Sequence, residues 1–542
     1  MPGEGKTFAQ KRETMEDRTV LHRRIAALVI LVVASHVTGA EKGGLRITNG
    51  WFTQDGRVIW GCAQHNGWWG GYRQGTGWIR QYKVRTALCR RAPGRVGPSF
   101  TEDLDKLTDA MVRYGYPGFE HNYGLWYDRR RDNHDVQRRT DDNVQPPFLE
   151  QPWARSEEGT AWDGLPKYDL ERFNPWYFAR LKEFARLCRK KGGILFHNFY
   201  MQHALLETPA HYVDFPWRPA NCVQDTGMPD VIPAANAFYD VTNDARRELH
   251  RTYIRKCLDE LGDQTNVVHL VSEEYTGPLS FMEFWIDTLI AWERETGKRL
   301  HIGLVGTKDV VDAILADPVR GPRISTICLS YWWYKADGTL FAPQGGREVA
   351  GRYTGNLPRE TTPQSLYRQI REYRRLYPDK AIIQHHEVQL EKAWAFLMGG
   401  GSMIVARMQY ADSVPPKQPW EPPDEYIAPP EALVIQPTYD FIRAHLAAAL
   451  PHMRPADIVR DNEDRTWCLA EKGKEYLVFA LRGGSVTIDL GETPGQRFQA
   501  QWFDPRSGDL SPAGVATGGG TASFTCPDDR CRALWLRATN DL

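Results

Sequence analysis

The feature that most constrains the fold of this chain is an alternation of strand-like and helix-like segments between residue 55 and about residue 450. Short apolar runs that predict eight strands lie at 58–63, 116–120, 193–198, 266–272, 301–305, 324–329, 381–386 and 402–407. Amphipathic patterns that predict helices lie at 102–113, 178–187, 245–261, 283–293, 364–376, 390–398 and 435–449. Strands that alternate with helices predict an α/β fold with a parallel sheet, and eight strands can close into a (β/α)8 TIM barrel.

An open, doubly wound sheet is the main alternative to the barrel. Such a sheet usually carries a glycine-rich nucleotide-binding turn between its first strand and a helix, but the glycine-rich segment 61–71 does not lead directly into a helix. Beyond Pro455 the helical periodicity stops, and short alternating runs separated by turn residues predict a small all-β sandwich. We therefore expect a barrel at 41–454 and a β-sandwich domain at 455–542 that packs on the barrel and helps to bind a polymer.

The first 40 residues have the features of a cleaved signal peptide. Two arginines precede the apolar run 25–34, and small residues at 38–40 follow it. Because the run is too short to span a bilayer, we expect an exported protein, secreted or periplasmic, with no stable membrane span after signal cleavage. Of the nine cysteines, Cys526 and Cys531 are close enough in the sequence to form a disulfide in an oxidising compartment.

The composition limits the classes of partner. Lys plus Arg equals Asp plus Glu at 68 each, so no basic excess points to nucleic acid. The chain has 19 Trp, 23 Tyr and 21 Phe, and many of the tryptophans fall in polar, loop-like sequence. Such aromatic faces could stack on sugar rings, although packing over the core beneath long loops explains any single one equally well.

Glutamates follow two of the predicted strands. Glu273 and Glu274 end the fourth strand and Glu387 ends the seventh, on roughly opposite sides of a barrel whose catalytic groups come from C-terminal strand ends. Cleavage of a glycosidic bond needs one protonated and one ionised carboxyl group flanking that bond. Neighbouring strand residues face opposite sides, and small Ser272 favours Glu274 over Glu273 as the inward-facing acid. The alternative for each glutamate is a solvated loop carboxylate.

Other polar and aromatic side chains collect at the predicted strand ends and in the long loops that follow them. As a set they suit recognition of sugar hydroxyls, although each histidine taken alone is more often structural. The predicted substrate-binding residues are Glu273, His65, Asn66, Trp69, Glu120, His121, Asn122, Trp162, His197, Tyr200, His203, Tyr331, Trp332 and His386. No His-x-His pair follows the first strand and no His-Glu-x-x-His helix exists, so we expect neither a metal site nor a cofactor.

This arrangement of glutamates resembles the clan A glycoside hydrolases. The resemblance implies that Glu274, after the fourth strand, is the acid/base and that Glu387, after the seventh, is the nucleophile. Glu273 stands where the clan has an asparagine, which leaves Glu273 as an alternative acid. Tyr331 stands near the end of the sixth strand, where the clan often has a Tyr or His beside the nucleophile. Glu391 is a second choice for the nucleophile, but in a first helical turn it more simply favours the helix dipole.

The chain also resembles the apiosidase-type branch, in which such a barrel carries a C-terminal collagen-binding-like β domain. The likeness rests on segments 466–490 and 501–508 and on the 391–401 helix. We therefore expect a glycoside hydrolase that acts on a plant- or alga-type polysaccharide or oligosaccharide, with a retaining mechanism. A polysaccharide lyase acting on a uronic-acid-containing glycan is one alternative, and a non-catalytic carbohydrate-binding protein is another.

Overall fold

A computed structural model describes a large part of the chain. The described residues are 43–67, 104–121, 151–162, 164–206, 212–213, 215–273, 275–345, 361–385, 389–406, 428, 430–460 and 464–539. The predicted signal peptide therefore lies outside the described residues. Within the described part of the chain, no helix is both long and apolar enough to cross a membrane.

Eight parallel strands form a closed barrel, which confirms the predicted fold class. They are β1 (Cys62–Gly67), β2 (Gly118–His121), β3 (Ile194–Met201), β4 (Val267–Glu273), β5 (His301–Gly306), β6 (Ile324–Leu329), β7 (Ala381–His385) and β8 (Met403–Ala406). Each strand pairs with the next in chain order, and β8 pairs with β1 to close the ring. Six of these strands lie within one or two residues of their predicted positions, because their continuous apolar runs are buried on both faces.

A helix follows each barrel strand. The helices are α1 (Leu104–Arg113), α2 (Pro175–Lys191), α3 (Asp244–Leu261), α4 (Leu279–Thr296), α5 (Lys308–Ala316), α6 (Pro363–Leu376), α7 (Leu390–Met398) and α8 (Gln436–Phe441). A π-helical turn, Ile442–Leu446, continues α8. Helix α5 is absent from the sequence prediction, although α7, also nine residues long, was predicted.

The first strand begins four residues later than predicted. Val58 pairs with Thr53 in an antiparallel sheet formed by Arg46–Thr48, Trp51–Gln54 and Arg57–Val58, so the apolar run 58–63 is shared between two elements. Gly61 separates them with φ 150°, and a Cβ there would lie 2.7 Å from both the Gly115 carbonyl oxygen and Pro117 Cδ. Only glycine suits this break, which is where β1 starts.

A buried arginine joins this N-terminal sheet to the barrel. The Arg374 guanidinium of α6 donates to the carbonyl oxygens of Gly50 (2.7 Å), Lys380 (2.9 Å) and Gly400 (3.1 Å). Burial lowers the pKa of Arg374 to about 9. The carbonyl groups satisfy the donors of a side chain that has only 3% of its surface exposed.

The C-terminal region is built from two antiparallel sheets. The larger one has the strand order Arg454–Ala456, Thr466–Glu471, Glu475–Ala480, Arg532–Ala538, Arg497–Phe503 and Leu510–Thr517, and the smaller has Val459–Arg460, Ser485–Asp489 and Thr521–Thr525. Val478, Phe498 and Leu534 of the larger sheet pack with Ile488 and Phe524 of the smaller one. The predicted division at 454/455 remains a prediction, although the first strand of this region begins at Arg454.

The disulfide that the sequence permits between Cys526 and Cys531 is not formed in the structure. Both thiols are free in the structure, and both side chains are buried. Cys531 Sγ instead lies 3.1 Å from Arg506 Nη1 and 3.8 Å from Glu391 Oε1 of α7. Sequence proximity did not reveal that Cys531 faces the barrel.

Candidate active site

The predicted catalytic glutamates come shortly after the C-terminal ends of β4 and β7. β4 ends at Glu273, the residue before Glu274, and β7 ends at His385, two residues before Glu387. Glu274 and Glu387 themselves lie outside the described residues. All eight strands are parallel, so these two ends belong to the same rim of the barrel, three strands apart around the ring.

A buried carboxylate lies near this rim on β2. Glu120 is 1% exposed and accepts a hydrogen bond of 2.9 Å from Asn198 Nδ2 of β3. Burial, and secondarily the charge on Glu120, raises the pKa of the Cys328 thiol of β6 to about 12. The next residue, His121, contacts Tyr177 of α2, so the alternation of side chains along the strand directs Glu120 away from the helices and into the barrel interior.

The chain leaves β6 through a strained residue. Tyr331 has φ 54° and is largely buried, a left-handed conformation that is unfavourable for a bulky side chain. The next residue, Trp332, is held by α6, because its carbonyl oxygen accepts a hydrogen bond of 2.7 Å from Gln369 Nε2. Gln369 Oε1 in turn accepts 2.7 Å from Gln384 Nε2 of β7. The segment after β6 is therefore tied to the end of β7.

The loops that follow β3 and β4 are also joined. Gln202 Oε1 accepts a 3.0 Å hydrogen bond from the Thr276 amide, and the Ser272 hydroxyl donates 2.9 Å to the Glu273 carbonyl oxygen. Glu273 is 1% exposed. These bonds fix the backbone on both sides of the β4 end.

Three buried histidines lie between the barrel wall and its helices. His197 stacks on His121 at 5.1 Å and meets the His269 ring at 5.7 Å, while the Tyr177 hydroxyl of α2 lies 3.1 Å from His121 Nε2. Burial lowers the pKa of His121 and of His269 to about 3, and that of His197 well below its usual range. This packing favours the structural alternative for His121 and His197 over direct contact with a substrate.

Tyr200 occupies a similar position. Its hydroxyl lies 2.8 Å from His250 Nδ1 of α3, and His250 Nε2 lies 2.8 Å from the Phe238 carbonyl oxygen. A carbonyl oxygen can only accept, so Nε2 carries the proton and Nδ1 accepts from Tyr200. The phenol is thus engaged in an aromatic cluster between barrel and helices.

Some of the remaining predicted site residues are described by the structure and others are not. Trp69, Asn122 and His386 lie outside the described residues. His65 and Asn66 are in β1, His203 opens the short helix His203–Leu206, and Trp162 is half-buried with its amide 3.1 Å from Asn221 Oδ1. Gln369 was missed by the sequence prediction. Its signal is a buried amide on the apolar face of α6, between Leu366 and Ile370.

The described residues form no evident metal-binding site. Among the described residues, no group of three or more His, Cys, Asp or Glu side chains is placed to hold a metal ion. Among the described side chains near the rim, Glu120 carries a carboxylate, Asn198 and Gln202 carry amides, and Ser272 carries a hydroxyl. Such groups bind the hydroxyls of a neutral polar ligand.

The fold therefore defines a (β/α)8-barrel protein with a C-terminal β domain, and comparisons with known proteins agree. Residues 6–414 match a family described as "Domain of unknown function (DUF6298)", and the chain belongs to that family. Residues 456–534 match the "Putative collagen-binding domain of a collagenase". No curated protein matches the chain.

Two solved structures share the fold over nearly the whole chain. One is described as a glycoside hydrolase, with 11% identity, a TM-score of 0.52, and coverage of 91% of this chain and 97% of that one. The other is a family 5 glycoside hydrolase from Bacteroides vulgatus, with 11% identity, a TM-score of 0.52, and coverage of 91% and 93%. At this identity the likeness establishes the architecture alone.

Proposed function

We propose that this protein is a glycoside hydrolase that cleaves a carbohydrate with a pair of carboxyl groups, Glu274 and Glu387. The observation that carries the proposal is the common rim of the closed barrel, from which both residues follow directly after β4 and β7. Catalytic residues of such barrels come from the C-terminal strand ends. The fold shared with two structures described as glycoside hydrolases supports the same chemistry.

The two carboxyl groups have different tasks in a retaining mechanism. The acid, Glu274, donates its proton to the leaving oxygen while the carboxylate of Glu387 attacks the anomeric carbon and forms a glycosyl ester. Water then attacks that carbon, Glu274 takes the proton from the water, and the Glu387 carboxylate leaves. Retention requires the two carboxyl groups to be about 5–5.5 Å apart, whereas a wider separation gives inversion. Glu273 is the alternative acid.

The proposed sugar-binding groups are those of the same rim. Glu120, held by Asn198, offers a carboxylate to sugar hydroxyls, while half-buried Trp162 offers an aromatic face and Tyr331 a phenol. Trp332, predicted from the sequence to bind substrate, is excluded from this set, because its ring is 1% exposed and packs on α6. The strained backbone at Tyr331 is the kind of feature that concentrates at ligand sites. We propose a plant- or alga-type polysaccharide or oligosaccharide as substrate. The apiosidase-type branch and export to a secreted or periplasmic location also belong to this proposal.

Hydrolysis of a polysaccharide panel, followed by reducing-end assays, tests the function. We expect the wild type to release sugars, and Glu274→Gln and Glu387→Gln to lose at least about 10³-fold in kcat while still binding the substrate. Glu283→Gln is the control, because Glu283 lies on the outer surface of α4 and pairs with Arg320 at 3.1 Å. Full activity in either rim variant would refute the assignment of that residue.

Azide separates the two roles. With Glu387→Ala, azide should restore cleavage by attacking the anomeric carbon from the vacated face, giving a glycosyl azide of inverted configuration. With Glu274→Ala and an activated leaving group, the azide product should retain the configuration, because Glu387 still forms the glycosyl ester. An unsaturated product that absorbs ultraviolet light would identify a lyase instead. Binding without product, unaffected by both substitutions, would identify a carbohydrate-binding protein.

A further inference from the structure

The larger sheet of the β domain is covered on both faces. One face contributes Val478, Phe498 and Leu534 to the domain's own core, while the alternate residues of the same strands pack on the barrel. Three stacked pairs mark the second contact. They are Trp467 on Tyr367 of α6 at 4.8 Å, Phe479 on Trp394 of α7 at 4.9 Å, and Phe503 on Phe441 of α8 at 4.1 Å. The sheet is thus a layer of the catalytic unit.

The aromatic residues of the domain are used inside it. All eight aromatic side chains between 464 and 539 are buried, namely Trp467, Tyr476, Phe479, Phe498, Trp502, Phe503, Phe524 and Trp535. A surface that binds polysaccharide chains usually presents exposed aromatic faces to sugar rings. This distribution favours a mechanical role for the domain over the polymer binding expected from the sequence.

One ion pair connects the β domain to the start of α7. Arg506 Nη2 lies 2.9 Å from Glu391 Oε1, in the first turn of the helix that follows β7. Arg506 Nη1 also lies 3.1 Å from Cys531 Sγ, so the guanidinium is held at two points. Glu391, the second-choice nucleophile in the sequence, is therefore engaged by the neighbouring domain.

The turn that carries Arg506 is itself fixed. The Asp504 carbonyl oxygen accepts 2.8 Å from the Gly508 amide, and the Asp504 carboxylate pairs with Arg532, which is 6% exposed. Gly508 has φ 85°, and a Cβ built there would lie 3.7 Å from Pro437 Cβ of α8. A rigid turn presents a preorganised guanidinium, which loses less conformational entropy when it binds a carboxylate.

We infer that the β domain braces α7 against the barrel and that Arg506 is a positioning residue acting through Glu391. The consequence for catalysis rests on the proposed function, which places the nucleophile Glu387 four residues before Glu391. A small displacement of a reacting group can cost roughly 100-fold in rate. The ion pair holds the N-terminal end of α7, which is the end that follows Glu387 in the sequence.

Three variants of the full chain test the inference. They are Arg506→Ala, Arg506→Lys, and a double variant, Glu391→Arg together with Arg506→Glu, that exchanges the two charges. We expect Arg506→Ala to lower kcat roughly tenfold with KM changed less than about twofold, and the lysine and exchanged variants to recover most of the loss. The thermal midpoint should stay at the wild-type value, because a half-exposed ion pair adds little stability. The matched control is Asp457→Asn, which removes the 3.2 Å pair between the same domain and Arg371 of α6. It should leave kcat unchanged.

Hydrogen–deuterium exchange supplies a readout that does not depend on activity. Amides of 390–398 should exchange faster in Arg506→Ala than in the wild type, while those of 279–296 in α4 should not change. Unchanged exchange in α7 would overturn the brace. Unchanged kcat in Arg506→Ala, with Glu391→Gln inactive, would make Glu391 the nucleophile and overturn its positioning role. A wild type that hydrolyses nothing, with faster α7 exchange in Arg506→Ala, would refute the proposed function while the brace stands.

Discussion

Acidification should destabilise this protein well before its carboxylates protonate. His121, His250 and His269 are buried, and burial lowers the pKa of each from 6.5 to about 3. Because the folded pKa is the depressed one, the folded state stays neutral while the unfolded state takes up protons below about pH 6.5. The stability contribution is therefore complete above that pH and is lost as the pH falls toward about 3.

The size of the effect follows from the two pKa values. Moving from about pH 7.5 to about pH 5.5 costs roughly 1.4 kcal/mol for each histidine that is neutral when folded and has an unfolded pKa of 6.5. The three histidines together lower the free energy of unfolding by about 4 kcal/mol, which is a large part of its typical value. His197 and His301, whose pKa values burial also lowers, add in the same direction. Carboxylates with ordinary pKa values titrate mainly below about pH 5, outside this interval. Burial raises the pKa values of Glu475 and Asp440, which therefore act in the opposite direction.

Urea unfolding at several pH values between these limits measures the loss. His269→Leu should reduce this pH-dependent loss of stability by about 1.4 kcal/mol, because it removes one titrating imidazole. Among the described residues no hydrogen-bond partner serves His269 Nδ1, so the substitution breaks no hydrogen bond at that nitrogen. His452→Gln is the control, because His452 is exposed. A free energy of unfolding that stays constant across the interval at constant m-value would refute the reasoning, as would an equal effect of the control.

Other perturbations test the packing and the chemistry. Arg374→Met should cost about 3 kcal/mol in urea unfolding, because three buried carbonyl oxygens lose their donor; a loss near zero would show that they find other partners. Trp394→Ala should cost roughly 3–5 kcal/mol, since the ring is fully buried against Phe479 and its Nε1 donates to Thr438 at 3.0 Å; a smaller loss would mean that the two domains separate easily. Removing divalent cations with a chelator should leave the hydrolysis rate unchanged, and sensitivity reversed by added metal would speak against a two-carboxylate mechanism.

The barrel could be predicted because its physical signal is strong and local. A strand buried on both faces is a continuous apolar run, and polar residues begin where it reaches the rim, as at β4 and β7. The signal fails where one run serves two elements, as at Val58. The edge strand Leu510–Thr517 was missed for a different reason. It contains proline and glycine, and most of its residues are exposed.

The site was harder to predict, because a strand-end residue can face either side of the barrel wall. Alternation assigns His197 and Asn198 to opposite faces but does not state which face is inside. The structure resolves this through tertiary contacts: Asn198 bonds Glu120 toward the interior, while His197 stacks on His121 toward the helices. The contact between Glu391 and Arg506 could not be predicted either, since 115 residues separate the partners.

The double coverage of the larger β sheet has a consequence for how this chain could have evolved. Residues from both sides of position 454 share one apolar layer, with Trp394 and Phe441 on one side and Phe479 and Phe503 on the other. A gene fragment that ended between them would encode a barrel with bare rings on its surface, prone to stick to other molecules. Exchange of the C-terminal region between relatives would succeed only where the incoming rings match, so the two parts should be inherited together.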